Sequence, residues 1–411
     1  MRYTLIENRI SEPIPLSEID LRYLQQFKYA RDLVITPVAG GQTYKLTADN
    51  IVGAISLPSG IQIHIRPKIG LPNLFRLLSF VLNDYFGMDE MVDYEEEEGI
   101  FDLLGQLYSL ELSKVIKLGL RQDYSHLTGN LSTVRGRILF GPHLKHNVAQ
   151  AGKIFCLFNQ RSSDTTENQA LLAATEFLLL GQVCGPKTQN ALRSCLRRMP
   201  AEISTSGFSN QKLSKIQIGR HNEHYRRPLF LAGLILRSIA FSNEAGTSHQ
   251  PSFIINVAKL FEDYVAQCLL RYFDDPRLEI LVQEKSEFDV KGTLHIQPDL
   301  MFRLRETNDI VSVADTKYKD LDSKSVNSAD AYQMLAYMIS RSCKVSVLIY
   351  PESMFRSATQ NETITIRLSE GDYRIYVVTV PLTEPKDTVA AIKNVIQAVA
   401  MNQLYSVAAQ K

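Results

Sequence analysis

The sequence predicts a multi-domain α+β / α/β chain with three parts: a β-rich amino-terminal module (1–105), a mainly helical middle region (106–225) and a carboxy-terminal α/β domain with a mixed sheet (226–411). Three observations predict it. The chain has 411 residues, too many for one ordinary core. Short β-branched runs punctuated by turn residues fill the first hundred positions, and longer runs with one apolar face follow them. From about 228 the pattern reads helix, three strands, helix, strand, strand, helix.

In the first part, "LVITPV", "TYKLTA", "IVGAISL" and "IQIHIRP" read as strands, with turns at Gly40-Gly41 and Pro58-Ser59-Gly60. Alternation puts Ile61, Ile63 and Ile65 on one face and Gln62, His64 and Arg66 on the other, so His64 is expected on the solvent side. "NLFRLLSFVLNDYF" and "FDLLGQLYSLELSKVIKLGL" read as helices, as does "TENQALLAATEFLLLGQV", opened by Asp164 or Thr165. Between the last two lies a basic stretch with Arg135, Arg137, His143, Lys145, His146, Lys153 and Arg161. It is either a solvated loop or a surface facing phosphate or a partner. In the third part, "PLFLAGLILRSIAF" and "FIINVAKLFEDYVAQCLLRYF" read as helices. "LEILVQEK", "HIQPDLMFRL" and "IVSVADTKYK" read as strands, followed by the helix "SADAYQMLAYMISR". The strands "KVSVLIYP" and "YRIYVVTVPL" and a final helix from Pro385 complete it.

Composition excludes several classes. The chain is 45% hydrophobic and 22% charged with a formal net charge of +1, so any nucleic-acid surface must be a local patch. The acidic run "DYEEEEG" at 93–99 offsets some of the basic residues and is expected to be a solvated loop. Five scattered cysteines without a CxxC pair point to a reducing cytoplasm, with neither a disulfide framework nor a zinc site. The amino-terminal stretch lacks the apolar core of a signal peptide, and no run is long enough to span a membrane.

The chemistry concentrates in "IQPDLMFRLRETNDIVSVADTKYK". Asp315 and Lys317 share a strand face with Val311 and Val313, and a hairpin through "RETND" would bring Asp299 across to Asp315. Charges inside apolar strands need partners. Two adjacent carboxylates suit a hard cation such as Mg2+, and the lysine beside them suits orienting a water or stabilising charge on phosphate. An ordinary salt bridge is the simpler alternative. Upstream, Glu262 borders the apolar stripe of Leu260, Phe261, Val265 and Leu269. Downstream, Gln333 and Tyr337 stand at i and i+4 on one helix face, where both can bond to phosphate or to the carboxylates.

Together, Glu262, Asp299, Asp315-Thr316-Lys317 and Gln333-x-x-x-Tyr337 resemble the PD-(D/E)xK nucleases, in the branch with a RecB-like QxxxY helix. With "ISLPSGIQIHIRPKIG", "VRGRI" and "SSDTTENQALLAATEFLL", most of the chain resembles the McrC family, the nuclease subunits of McrBC modification-dependent restriction systems. Thr316 stands where that family more often has alanine, and little effect is expected of it. The resemblance implies a Mg2+-dependent endodeoxyribonuclease, with Mn2+ as a substitute ion. Glu262, Asp299 and Asp315 would be ligands, and Lys317, Gln333 and Tyr337 would complete the catalytic set. It also implies a hexameric AAA+ GTPase partner resembling McrB, contacted and stimulated by the amino-terminal part, and double-stranded DNA carrying modified cytosine. No GxxxxGK[ST] stretch is present, which fits a subunit without its own motor. Two alternatives stand beside this reading: a stand-alone RecB-like DNA nuclease, and a non-catalytic adaptor of the motor. The amino-terminal half, to about residue 225, is expected to fold without the rest.

Overall fold

The computed structural model describes residues 1–27, 29–38, 43–81, 100–147, 152–181, 184–206, 209–213, 215–243, 253–289, 291–319, 326–352 and 362–408. The acidic run at 93–99 and the Gly40-Gly41 turn lie outside them. The architecture is mixed α+β, with several sheets and two large cores.

At the amino-terminal end a four-stranded sheet runs in the order Arg2–Ile6, Gln62–Arg66, Ile51–Ser56, Phe253–Asn256. The first pair is parallel and the others antiparallel. A three-stranded sheet of Ile14–Pro15, Thr43–Ala48 and Leu33–Pro37 packs nearby. The helix Glu18–Gln26 is started by a capping box in which Ser17 and Asp20 bond each other's backbone N–H. Leu24, Leu46, Ile51, Ile55, Ile63 and Ile254 fill the core between these elements.

The last strand of that sheet corrects the sequence reading. "FIIN" was expected to begin a helix, but Phe253–Asn256 pairs with Ile51–Ala54. Asn256 then caps a helix over Val257–Tyr272, its side chain accepting from the Lys259 N–H at 2.9 Å. The Val257 N–H donates to the Asn50 carbonyl at 2.9 Å, tying the helix start to the amino-terminal sheet.

His64 is a second correction. It is only 4% exposed, because Val52 and Ala54 on the same sheet face into a helical core. Arg2 donates from Nε to His64 Nε2 at 2.9 Å. Burial, then the positive charges of Arg2 and Arg66, push the imidazole pKa down to about 3.

The middle region holds the helices Ile100–Leu118, Thr166–Leu180 and Pro186–Leu196. Position 105, drawn above as a division, lies inside the first of these. The basic stretch is no plain loop: Asp123–Leu131, Ile154–Ser162 and Arg137–Ile138 form a sheet in that order, with the helix Phe140–Asn147 against it.

The carboxy-terminal sheet has six strands in the order Leu278–Val282, Leu300–Leu304, Ile310–Thr316, Val345–Pro351, Gly371–Val380, Glu362–Leu368. It is mixed, with parallel pairs around Val345–Pro351 and antiparallel pairs at both edges. The edge strand Glu362–Leu368 was not foreseen. Val257–Tyr272 and Pro385–Ala408 pack on one face, and Ser328–Ser340 on the other. The register between Leu300–Leu304 and Ile310–Thr316 shifts: Phe302 faces Ser312 while Arg303 faces Ile310, leaving Val311 as an extra residue. Val311 therefore joins the core beneath Val257–Tyr272, while Val313 joins the one beneath Ser328–Ser340. The two valines do not share a face as alternation alone suggested.

All five cysteines are buried. Among the described residues, no helix is long and apolar enough to cross a membrane.

Candidate active site

The hairpin brings the acids together. Leu300 faces Ala314 across the antiparallel pair, so Asp299 lies opposite the Asp315-Thr316 step. Thr316 holds it there: its N–H and its Oγ1 both donate to Asp299 Oδ2 at 2.7 Å. This role for Thr316 was missed, although it sits inside the motif. Asp315 is 3% exposed, and Lys317 Nζ stands 2.5 Å from its Oδ2 as an ion pair. Among the described residues that ammonium is the partner of this buried oxygen, which takes no backbone or other side-chain donor. The Lys317 N–H donates to the Ile349 carbonyl at 2.8 Å, keeping the strand paired through the site.

The helix Ser328–Ser340 supplies the opposite wall. Lys317 Nζ donates to Gln333 Oε1 at 2.9 Å, and Gln333 Nε2 donates to the Tyr337 hydroxyl at 2.8 Å. Tyr337 in turn donates to the Gln297 carbonyl at 3.4 Å, a long contact. The i, i+4 pair thus meets as its spacing requires, but it orients Lys317 instead of bonding a carboxylate. Helix position 330 adds an acid that sequence reasoning did not single out. Asp330 is buried, binds Lys319 Nζ at 3.0 Å and adds negative charge beside Asp315. Its one available signal is the spacing of three from Gln333, which is weak.

Glu262 approaches from the helix Val257–Tyr272. Its Oε1 accepts from Gln283 Nε2 and, at 3.0 Å, from Lys259 Nζ. It is near enough for its charge to raise the carboxyls of both Asp299 and Asp315.

These groups share one electrostatic environment. Burial, then Asp315, pushes the Asp299 carboxyl well above the usual carboxylate range, against the opposing bonds from Thr316. Burial also raises Asp315, although Lys317 opposes it. Burial draws the Lys317 ammonium down, yet Asp315, Asp330 and Asp299 more than offset this and hold it above its ordinary value. The site therefore carries more acid than it can neutralise alone. Two adjacent buried carboxylates that share a single nearby ammonium fit a hard cation, which takes one or two carboxylates and completes its shell with water and phosphate. Among the described residues, no three His, Cys, Asp or Glu side chains already form a closed metal cage. The donors present are the two strand aspartates, with Glu262 turned toward Gln283 and Lys259.

The chain is similar to known proteins over much of its length. Residues 46–351 match the family model "McrBC 5-methylcytosine restriction system component". The type IV methyl-directed restriction enzyme EcoKMcrBC of Escherichia coli K12 is 24% identical over 168 residues, which span 39% of this chain and 46% of that protein. The match thus covers under half of that relative's length. In fold, the chain resembles one from a half-complex of the tetradecameric assembly of Thermococcus gammatolerans McrB AAA+ hexamers with bound McrC. The TM-score is 0.72 at 15% identity, covering 96% of this chain and 100% of that one. With the family model spanning most of its length, the chain belongs to the McrBC 5-methylcytosine restriction system component family.

Proposed function

We propose that the chain is the cutting subunit of a modification-dependent restriction complex, a Mg2+-dependent DNA endonuclease whose carboxy-terminal domain is of the PD-(D/E)xK type. The observation that carries the reading is the meeting of Asp299, Asp315 and Lys317 with Gln333 and Tyr337 at the end of one strand hairpin. A structural ion pair alone would need neither the second aspartate nor the Gln333–Tyr337 wall.

Asp299 and Asp315 would hold the ion, with Glu262 beside them and Mn2+ as a substitute. When bound, the ion would polarise the scissile phosphate and make a water more acidic. The chain's own residues do the positioning. Thr316 fixes the Asp299 carboxylate through two bonds to its Oδ2. Gln333 takes one donor of the Lys317 ammonium, and Tyr337 anchors Gln333 to the backbone at Gln297. Lys317, kept cationic by the surrounding acids, is placed to orient an attacking water or to stabilise charge developing on phosphate.

The relatives suggest the context. EcoKMcrBC is named as methyl-directed, and the archaeal assembly is described as McrB AAA+ hexamers with bound McrC. The partner of this chain is accordingly a hexameric AAA+ GTPase resembling McrB, and its substrate is double-stranded DNA with modified cytosine. The amino-terminal module, together with the sheet and helix around the basic stretch, forms the partner-facing surface. Arg135, Arg137, Lys145, His146, Lys153 and Arg161 are exposed there, beside Phe140 and Leu144 at 71% and 66% exposure. The test is nicking of a methylated plasmid with Mg2+, GTP and the partner ring present. Asp315→Ala should abolish it without weakening partner binding, and undiminished cutting by that variant overturns the assignment.

A further inference from the structure

Tyr318 follows Lys317 and is 3% exposed. Side chains alternate along extended backbone, so it points away from the Lys317 ammonium. It points into the amino-terminal sheet. Its hydroxyl donates to Glu7 Oε2 at 3.2 Å, across 311 positions of sequence. Lys68 Nζ donates to the Tyr318 carbonyl at 3.3 Å and stands 4.4 Å above its ring. Glu7 is itself 1% exposed and also accepts from the Lys68 N–H at 3.3 Å. Glu7 and Lys68 lie just beyond the paired strands Arg2–Ile6 and Gln62–Arg66, whose ends are joined by the Glu7 N–H donating to the Arg66 carbonyl at 2.9 Å. The ends of two amino-terminal strands thus grip the residue next to Lys317.

The same sheet holds the site from a second side. Its strand Phe253–Asn256 runs directly into the helix that carries Glu262. On that helix Phe261 meets the Tyr318 ring, with centroids 6.2 Å apart. One sheet therefore reaches both the residue next to the lysine and the helix that carries the outlying glutamate.

We propose that Tyr318 is a positioning residue: clamped by Glu7 and Lys68, it ties the alignment of Lys317 to the amino-terminal module, so that load placed on that module by a nucleotide-driven ring reaches the cutting centre. The inference rests on the nuclease reading of Asp299, Asp315 and Lys317 given above. It explains why a cutting domain shares a sheet with the module that faces a motor. The strand supplies a stiff connection, and the Tyr318 clamp supplies the contact nearest the chemistry.

The experiment follows nicking and phosphate release in one reaction, with the full chain, the partner ring, methylated plasmid, Mg2+ and GTP. The variants are Tyr318→Phe, Lys68→Met, their double and Asp315→Ala, each also melted thermally. Tyr318→Phe and Lys68→Met should each cut about tenfold more slowly per nucleotide hydrolysed. The double should be no slower than the worse single, because the two act as one clamp. Stimulation of nucleotide hydrolysis and melting temperature should hold. Full-rate cutting by Tyr318→Phe overturns the proposal, and so does a loss of cutting matched by equal losses of stimulation and melting temperature, which marks a merely structural role. Asp315→Ala separates the two readings. If it still cuts, the nuclease assignment falls. If it is inactive while Tyr318→Phe cuts normally, the coupling alone falls.

Discussion

The buried imidazole of His64 makes the amino-terminal sheet acid-sensitive. Folded, its pKa is about 3; an unperturbed histidine titrates near 6.5. As pH falls below 6.5 the unfolded chain takes up a proton that the folded sheet refuses. Stability present above that value is therefore lost progressively down to about pH 3. Between pH 7.5 and pH 5 the loss is about 2 kcal/mol, since each unit of separation is worth about 1.4 kcal/mol. The perturbation is His64→Gln, which accepts from Arg2 without titrating. The assay is thermal melting of wild type and variant across that range. The wild type should lose roughly 2–3 °C more than the variant on acidification. Parallel pH profiles for the two proteins would refute the reasoning, because they would mean that His64 protonates in place.

Three other outcomes follow from the site and the sheet. Thr316→Ala removes one of two bonds to Asp299 Oδ2 and keeps the backbone one, so nicking should slow several-fold, about 1 kcal/mol, with Thr316→Ser near wild type; an inactive Thr316→Ala would mean the hydroxyl does more than orient. If Asp299 and Asp315 hold the ion as proposed, their raised carboxyls must first lose protons, so the Mg2+ concentration for half-maximal nicking should climb as pH falls; a half-saturation that ignores pH contradicts this. A fragment ending at residue 225 lacks the strand Phe253–Asn256 and the core contact of Ile254, so it should melt without cooperativity, and a sharp transition would show that the module completes itself another way.

The last of these departs from the sequence reading, and the reason is instructive. "FIIN" adjoins a strongly amphipathic helix and extends its apolar run, so local periodicity merges the two. What makes it a strand is pairing with Ile51–Ala54, a partner that no window of neighbouring residues contains. His64 failed similarly: alternation assigned its face correctly but could not tell that Val52 and Ala54 turn that face into a second core. The extra residue at Val311 was likewise invisible, because a bulge depends on the opposite strand. The site fared differently. Asp315 and Lys317 two apart on a strand, and Gln333 and Tyr337 four apart on a helix, are local geometries, and their meeting needed only a short hairpin between Asp299 and Asp315. Thr316 and Tyr318, inside or beside that motif, were overlooked because their roles come from what they touch across the fold.

The late strand Phe253–Asn256 also sets the order of assembly during synthesis. The amino-terminal sheet keeps an open edge at Ile51–Ser56 until a segment roughly 200 residues downstream leaves the ribosome, a wait of about 10–40 s at ordinary elongation rates. An exposed edge strand of buried aliphatic residues is a template for the wrong neighbour during that interval. Nascent chains stalled before residue 253 should therefore depend on chaperones. The amino-terminal sheet thus reaches its finished form only once the strand that leads into the Glu262 helix is in place.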